Sequence, residues 1–305
     1  MVSSALLVGL GNIGCKYDLE SEEILTHLKA MVLSNSIKTI HVYDSNLKFA
    51  KIISKEYNVQ IETELSTKSL MKYDLVVIAT PTNFHFKILQ DCLKNNNQTI
   101  ICEKPISYKL NEIDSLSISY KKSQSTVIIN YFRRFLNGYI NLKKTIKKSN
   151  NKLRSVNIRY SRGLINNCSH ALDLIEFLTD ESVQFSKINF INKINFTEND
   201  NTLSCIFKSG EVDYFLDGRD ENYGKFEIDL KFENYKVKIY DRGNCYEILD
   251  QDNNIIKKSD NTLYNYMHQF YSYLFKYRFD KKICDNFTNS ILLNKKLIKN
   301  FIHER

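Results

Sequence analysis

The chain has 305 residues, of which 43% are hydrophobic and 26% charged, a composition typical of a soluble globular protein with room for two domains. No apolar run reaches the ~18–20 residues of a membrane span. The N-terminal segment lacks the basic region and cleavage site of a signal peptide. We therefore expect a cytoplasmic protein without a membrane partner.

The formal net charge is +8, but the lysines are dispersed and no nucleic-acid motif accompanies them, so we expect no nucleic-acid partner. The seven cysteines include no C-x-x-C pair, which favours reduced thiols and a cytoplasmic setting. Because no cysteine or histidine pair has ligand spacing, we expect no metal site.

The first 130 residues alternate between strand and helix patterns, which indicates βαβ units and a parallel sheet. The run Leu75–Ala79 is apolar throughout, as expected of a central parallel strand that is buried on both faces. The predicted strands are 4–8, 38–43, 59–61, 75–79, 99–102 and 126–130. The predicted helices are 22–33, 47–56, one ending at 93, and 110–122.

A glycine fingerprint follows the first strand: Gly9-Leu10-Gly11-Asn12-Ile13-Gly14. Such a loop binds a dinucleotide, since its glycines permit a tight turn, close backbone approach to the pyrophosphate, and close packing of the next helix. Asp44 ends the second strand 30 positions after Gly14, where a spacing of ~20 is usual. Its carboxylate can accept hydrogen bonds from ribose hydroxyls and repel a 2′-phosphate, which favours NAD over NADP. The alternative is that Asp44 only starts a turn, and Lys48 could offset the preference.

The second half predicts helices at 135–148, 169–179, 261–279 and 287–302, and strands that alternate polar and apolar residues. This alternation is typical of an antiparallel sheet with one wet face. The predicted strands are 153–160, 187–192, 202–208, 212–217, 225–232, 234–240 and 244–249.

We therefore predict an α/β chain with a Rossmann domain over 1–124. A substrate-binding and oligomerisation domain with an open, mostly antiparallel sheet follows over 125–305, and its last helix packs back on the first domain. The tetrapeptide Cys102-Glu103-Lys104-Pro105 ends a predicted strand. Ligands bind at the carboxyl edge of such sheets, so Lys104 is expected to face the cofactor.

Five segments in this order resemble the Gfo/Idh/MocA family of nicotinamide-dependent oxidoreductases. They are Gly9–Gly14, Ala79–His85, Glu103–Pro105, Asn130–Phe135, and His170 with Asp173.

The resemblance implies a Rossmann domain, a second domain whose sheet often mediates oligomers, and a homodimer or homotetramer. It assigns Lys104 and His170 as the catalytic pair, with His170 as the acid/base and Lys104 between nicotinamide and substrate. The implied cofactor-binding residues are Gly9, Gly11, Asn12, Ile13, Asp44, Ala79, Thr80, Pro81, Asn83, His85, Glu103 and Lys104. The expected substrate-binding residues are Lys104, Arg133, Arg134, Arg162, Asn166 and His170.

Imidazole suits proton transfer near neutral pH, and an ammonium stabilises negative charge on the reacting oxygen. The family commonly has an aspartate four residues before the histidine, where this chain has Asn166, which cannot titrate. Alternatively, Lys104 only positions the cofactor, His170 is a packed helix residue, and the arginines are surface charges. We expect His27 to be a packing residue.

The chain is thus predicted to be an NAD(P)-dependent dehydrogenase or reductase. Its predicted substrate is a sugar or nucleotide-activated sugar, in which hydride is transferred at a CH–OH or carbonyl carbon. The reaction is expected to belong to surface-polysaccharide sugar metabolism. The long connection 15–21 also resembles members associated with that metabolism. Two alternatives remain open, a non-catalytic dinucleotide-binding regulator and an NAD-assisted lyase or glycosidase.

Overall fold

The computed structural model describes residues 2–95, 98–221 and 224–302, in two compact units. The first unit contains Met1–Phe132 and Asn265–Ile291, and the second contains Arg133–Tyr264 and Leu292–Arg305. The first unit therefore includes strand 126–129 and segment 265–291, which the predicted division at residue 124 placed in the other domain. The separate roles predicted for the two domains stay predictions.

The strands are numbered in chain order. They are β1 (Val2–Val8), β2 (Ile37–Tyr43), β3 (Gln60–Ile61), β4 (Leu75–Ile78), β5 (Thr99–Cys102), β6 (Thr126–Ile129), β7 (Leu153–Ser161), β8 (Ser186–Thr197), β9 (Asp200–Ser209), β10 (Val212–Arg219), β11 (Phe226–Phe232), β12 (Lys236–Tyr240), β13 (Cys245–Leu249) and β14 (Ile255–Ser259). The α-helices are α1 (His27–Leu33), α2 (Leu47–Tyr57), α3 (Thr67–Leu70), α4 (Thr82–Leu93), α5 (Leu110–Lys121), α6 (Asn137–Ser149), α7 (Ser169–Thr179), α8 (Tyr266–Lys276), α9 (Lys281–Cys284) and α10 (Phe287–Phe301).

The first unit contains a parallel sheet with the order β3-β2-β1-β4-β5-β6. This is the strand order of a dinucleotide-binding Rossmann fold. The four residues of β4 are fully buried, as a central strand covered by helices on both faces requires. The predicted fold class of this half is confirmed.

The second unit contains an eight-stranded sheet with the order β14-β13-β12-β11-β7-β10-β9-β8. Its strand pairs are antiparallel except β7 with β10, which confirms the predicted mostly antiparallel sheet. The sequence did not indicate β14, because Ile255-Ile256-Lys257-Lys258 lacks the alternation of a half-buried strand, and these residues are exposed.

The first helix begins at His27, so the predicted start at Glu22 is wrong. Asp18, which is buried, holds the backbone before the helix in a turn, because its Oδ2 accepts hydrogen bonds from the N–H groups of Leu25 (2.7 Å) and Thr26 (2.8 Å). Thr26 is extended and its hydroxyl caps the N–H of Lys29. An N-cap of this type fixes the start of a helix. Within the described residues, no helix has both the length and the hydrophobicity to cross a membrane.

Candidate active site

The three fingerprint glycines connect β1 to the residues before α1, and two of them are required by close backbone contacts. Gly9 has φ +100°, and a Cβ atom there would lie 2.8 Å from the carbonyl oxygen of Ala79. A Cβ atom on Gly14 would overlap the carbonyl oxygen of Gly9. Apart from Gly11 itself and its two chain neighbours, none of the described residues has an atom within 4 Å of a Cβ built on Gly11, so this glycine borders open space.

The loop also presents unused hydrogen-bond donors. The N–H groups of Asn12 and Ile13 donate to no acceptor within the part of the chain that the structure describes. Free backbone N–H groups beside a glycine form an anion-binding concavity, because no side chain blocks access to them. The loop therefore fits the pyrophosphate of a dinucleotide.

Asp44 lies at the carboxyl end of β2, beside this loop. Its Oδ2 accepts a hydrogen bond from the N–H of Leu10 (2.7 Å), and its Oδ1 accepts one from the N–H of Asn46 (2.8 Å). Asp44 thus starts a turn, as the alternative interpretation had it, and also fixes the glycine loop. Each carboxylate oxygen keeps a second lone pair for a ribose hydroxyl.

The unusual spacing between Gly14 and Asp44 arises from an insertion into the first helix. The N–H of His27 donates to the carbonyl of Ile13 (3.1 Å), and that of Leu28 donates to Gly14 (3.0 Å). An α-helix joins residues four positions apart, whereas these pairs are 14 apart. Ten extra residues are therefore inserted after the first helical turn, and the helix continues in register beyond them. This insertion explains why Gly14 and Asp44 are 30 positions apart, where a spacing of ~20 is usual.

The turn after β4 carries the next predicted cofactor residues. Ala79 is buried, whereas Pro81 and Asn83 are exposed. The Oγ1 of Thr80 is buried and has no hydrogen-bond partner among the described residues. A buried hydroxyl without a partner is uncommon and fits a bound polar group at this edge.

His85 does not present its ring to solvent. The ring is buried, with Nδ1 2.8 Å from the carbonyl oxygen of Pro105 and Nε2 2.7 Å from that of Thr80. Burial lowers the pKa of His85. The ring therefore joins the turns after β4 and β5, and its predicted contact with the cofactor stays a prediction.

Glu103 and Lys104 follow β5 at the carboxyl edge of the sheet. Glu103 is buried, and its Oε1 accepts hydrogen bonds from Asn130 and His27 (3.0 Å to the Nε2 of His27). Its Oε2 accepts one from the N–H of Lys104 (3.3 Å). Lys104 is half-buried. The structure thus gives His27, which we expected to be a packing residue, a direct contact with the tetrapeptide.

In the second unit, β7 is followed by a strained turn that leads into α7. Arg162 is exposed with φ +63°, and Gly163 has φ +91°. Leu164–Cys168 then forms a π-helical turn, a feature frequent at functional sites. Buried Asp200 accepts hydrogen bonds from the N–H groups of Ile165 (3.0 Å) and Asn166 (2.8 Å). Its carboxylate holds the turn in place.

His170 lies in the first turn of α7 and is 8% exposed. The π-helical turn before it positions Asn166, whose side-chain amide donates to the carbonyl of Arg162 (3.1 Å). The structure thus groups His170, Asn166 and Arg162 on one turn and the helix that follows it.

The two arginines of the Asn130–Phe135 segment are both engaged by protein groups. Arg134 makes a bidentate ion pair with Asp173, with N–O distances of 2.6 and 3.0 Å. The guanidinium of Arg133 stacks 3.9 Å from the ring centre of Phe226 and donates to the carbonyl of Arg242 (3.0 Å). Both arginines therefore make structural contacts that simple surface charges would lack. A substrate role for either stays a prediction.

Two buried carboxylates in these sites, Asp18 and Asp200, had no signal in the sequence. Asp200 contacts residues 34 and 35 positions earlier, and Asp18 contacts residues 7 and 8 positions later in an irregular segment. Neither spacing belongs to a helix or strand period. In residues 2–95, 98–221 and 224–302, no three His, Cys, Asp or Glu side chains form a group able to hold a metal ion.

Comparison with known proteins gives a match to a family model, GFO_IDH_MocA, described as an oxidoreductase family with an NAD-binding Rossmann fold, over residues 4–131. The chain is also similar to inositol 2-dehydrogenase of Rhizobium meliloti, with 24% identity over 140 residues. The aligned part covers 46% of this chain and 39% of that relative, so it spans less than half of either protein.

Solved structures match over nearly the whole chain. UDP-N-acetylglucosamine 3-dehydrogenase GnnA from Acidithiobacillus ferrooxidans gives a TM-score of 0.75 at 13% identity, covering 98% of this chain and 96% of that one. A super-repressor mutant of Gal80p from Saccharomyces cerevisiae gives 0.76 at 15% identity, covering 98% and 95%. At these identities the similarity establishes a shared fold.

Proposed function

Because residues 4–131 match the model of the Gfo/Idh/MocA family of oxidoreductases with an NAD-binding Rossmann fold, we propose that the chain is an NAD-dependent dehydrogenase that acts on a CH–OH carbon of a sugar-like substrate. The observation that carries this proposal is the glycine loop, in which open space over Gly11 adjoins the free N–H groups of Asn12 and Ile13. When bound, a nicotinamide dinucleotide supplies the hydride acceptor or donor.

In this proposal the chain's own groups do the proton chemistry. Lys104, at the carboxyl edge of the sheet, holds an ammonium toward the reacting oxygen and stabilises its negative charge. His170 takes or gives the hydroxyl proton. Asn166 orients the substrate by hydrogen bonds and cannot titrate, so no carboxylate at this position assists His170.

A cyclitol, sugar or nucleotide-activated sugar is the proposed substrate class. Support comes from the names of two similar proteins, inositol 2-dehydrogenase and UDP-N-acetylglucosamine 3-dehydrogenase. Arg162, exposed beside Gly163, is the proposed contact for an anionic substituent on the substrate. We further propose that this activity serves surface-polysaccharide sugar metabolism.

The catalytic assignment is tested by Lys104→Ala and His170→Ala, assayed with the first substrate found in a panel of cyclitols, sugars and nucleotide sugars. Each variant is expected to lose about a hundredfold or more in turnover, the scale for a lost general acid or base, and to retain NADH binding. Lys109→Ala and His268→Ala, which alter exposed residues outside the predicted site, serve as controls. Near-normal turnover in the two site variants would reject the assignment.

The preference for NAD is tested by Asp44→Asn, which removes the charge and keeps the side-chain volume. A carboxylate beside the ribose repels a 2′-phosphate, so we expect the ratio of NADPH to NADH dissociation constants to fall by about tenfold, equivalent to about 1.4 kcal/mol. Asp74→Asn is the matched control, because Asp74 also accepts two backbone N–H groups, from Ser3 and Ser4. An unchanged ratio in Asp44→Asn would argue against this role.

The similarity to a super-repressor mutant of Gal80p supports regulation as a second candidate function. Tight NADH binding combined with no turnover on the whole panel would favour a dinucleotide-binding regulator. A product formed without net consumption of cofactor would instead favour an NAD-assisted lyase or glycosidase.

A further inference from the structure

Four buried polar side chains meet beneath the end of β5 in the first unit. Glu103 is 6% exposed, and His27, Asn130 and Tyr271 are 1% exposed or less. His27 comes from α1, Asn130 follows β6, and Tyr271 lies on α8. Polar groups so deeply buried cost free energy unless their hydrogen bonds are made, so the arrangement of these bonds is informative.

The histidine connects the tyrosine to the carboxylate. The Nδ1 of His27 lies 2.9 Å from the Tyr271 hydroxyl, and Nε2 lies 3.0 Å from Oε1 of Glu103. Among the described residues, the Tyr271 hydroxyl has no other hydrogen-bond partner. Both hydrogen bonds of His27 can form when the imidazole is neutral and carries its proton on Nε2. Tyr271 then donates to Nδ1, and Nε2 donates to Glu103.

The carboxylate is held as an anion in this environment. Burial raises the pKa of Glu103, but the hydrogen bonds from His27 and Asn130 and the charge of Lys104 outweigh this effect, so the net pKa is lowered. The other titratable groups that interact with Glu103 are Cys102, His85 and Tyr271. Asn130 also has a buried Oδ1 without a partner among the described residues, so its amide is oriented for Glu103 alone.

The insertion described above determines where His27 lies. The backbone of His27 and Leu28 rejoins the carbonyls of Ile13 and Gly14 in helical register. A shift of one residue would turn the His27 side chain by about 100° around the helix, away from Glu103. The Thr26 cap and buried Asp18 fix this register, so the contact is built into the local fold.

We propose that His27 is a positioning residue for Lys104, acting through Glu103, whose carboxylate it holds in place by a hydrogen bond while the same carboxylate accepts the N–H of Lys104. The Glu103 anion stabilises the charged ammonium of Lys104, and the His27–Tyr271 bond orients the ring that donates to this carboxylate. This inference rests on the proposed function only for the role of Lys104 in turnover. The electrostatic link itself is a property of the protein without cofactor.

The link is tested on the full chain without cofactor by reductive ¹³C-dimethylation of lysines and NMR titration of the methyl signals. The Lys104 signal is identified by its loss in Lys104→Arg. His27→Phe and Glu103→Gln are both expected to move the Lys104 transition to lower pH, because Glu103→Gln removes the anion and His27→Phe removes the hydrogen bond that holds it near Lys104. In His27→Gln, whose amide can still donate to Glu103, the Lys104 transition is expected to match that of the original chain. The control His41→Phe is expected to give the same result.

The proposal is overturned if Lys104 titrates in His27→Phe as in the original chain while Glu103→Gln shifts it, or if Glu103→Gln has no effect. Should His27→Phe fail to fold, Tyr271→Phe replaces it. A shift to lower pH then supports the link, and an unchanged transition rejects it. Since no turnover is measured, a failure of the proposed dehydrogenase activity would leave this result standing.

Discussion

Gly11 and Gly14 lie three positions apart in one loop, but a methyl group at each meets different surroundings. At Gly14 it would overlap the carbonyl oxygen of Gly9, whereas at Gly11 it would enter open space. One glycine is therefore required by the fold itself. The other is free to vary in the protein alone and is restricted only by what binds over the loop.

This difference predicts opposite phenotypes for two alanine variants. Gly14→Ala is expected to destabilise the chain by about 2–4 kcal/mol, because backbone must move to relieve the overlap. Gly11→Ala is expected to keep its thermal midpoint and to bind NADH at least about tenfold more weakly, since the methyl group occupies the pyrophosphate position. Thermal unfolding and NADH fluorescence titration measure the two effects. Unweakened NADH binding by Gly11→Ala would show that the dinucleotide does not approach this loop.

The roles of these glycines could be predicted from the sequence because their reasons are local. A tight turn and a close backbone approach depend on residues within a few positions. The contact between His27 and Glu103 could not be predicted in this way, since 76 positions and a ten-residue insertion separate the partners. The sequence suggested a packing role for His27, and only the register of the returning helix reveals its hydrogen bonds.

At the scale of elements, the insertion before α1 leaves and rejoins the helix without disturbing its register. Deleting residues 17–26 would join Lys16 to His27 and make the helix continuous. We expect this variant to fold, with a lower thermal midpoint because Asn265 and Met267 lose their hydrogen bonds to the deleted Ile24, and to bind NADH with unchanged affinity. Circular dichroism and NADH titration check this expectation.

A deletion of residues 19–26 provides the matched control. It removes eight residues instead of ten and so leaves His27 two positions out of helical register with Ile13. We expect this shorter deletion to fold less well than the longer one. Equal stability of the two variants would contradict the description of the segment as a ten-residue insertion in one continuous helix.

The turn before α7 depends on a carboxylate whose ionisation is disfavoured. Burial raises the pKa of Asp200 to about 6, although backbone N–H groups of Ile165 and Asn166 partly offset the effect. The folded state therefore binds a proton at Asp200 more tightly than the unfolded state. Its contribution to stability is largest at low pH and is lost as the pH rises through about 6.

Between pH 5 and pH 7 this loss amounts to about 1 kcal/mol. Asp200→Asn, which cannot ionise, is expected to lack it, so its unfolding free energy relative to the original chain should rise over this interval. Urea unfolding at several pH values measures the difference. Asp213→Asn, at an exposed carboxylate paired with Lys208 on the same sheet, should follow the original pH dependence. Parallel curves for Asp200→Asn and the original chain would contradict the assignment.

At the scale of the whole molecule, the order of strands and helices already indicated both sheets. Continuous apolar runs such as 75–78 predicted the parallel sheet, and alternation in 202–208 and 212–217 predicted the antiparallel one. The start of α1 and the strand β14 could not be obtained in this way. Buried hydrogen bonds determine the first, and the second is an exposed strand without a periodic apolar face.

The molecule carries its candidate groups on two compact units, each with its own internal support. In the first unit, Glu103 is held by His27 and Asn130, and in the second, the turn before His170 is held by Asp200. A dehydrogenase needs both a dinucleotide site and a proton-transfer group. The match of residues 4–131 to the family model and the open glycine loop support the first, and His170 is proposed for the second.

The most direct measurement of the proposed activity follows reduced nicotinamide by absorbance while the purified chain is incubated with NAD and each member of a panel of cyclitols, sugars and nucleotide sugars. We predict that at least one compound gives sustained turnover. Mass spectrometry should then show a product that is lighter by two hydrogens and formed in equal amount with NADH. Tight binding of NADH with no such turnover on any compound would contradict the account.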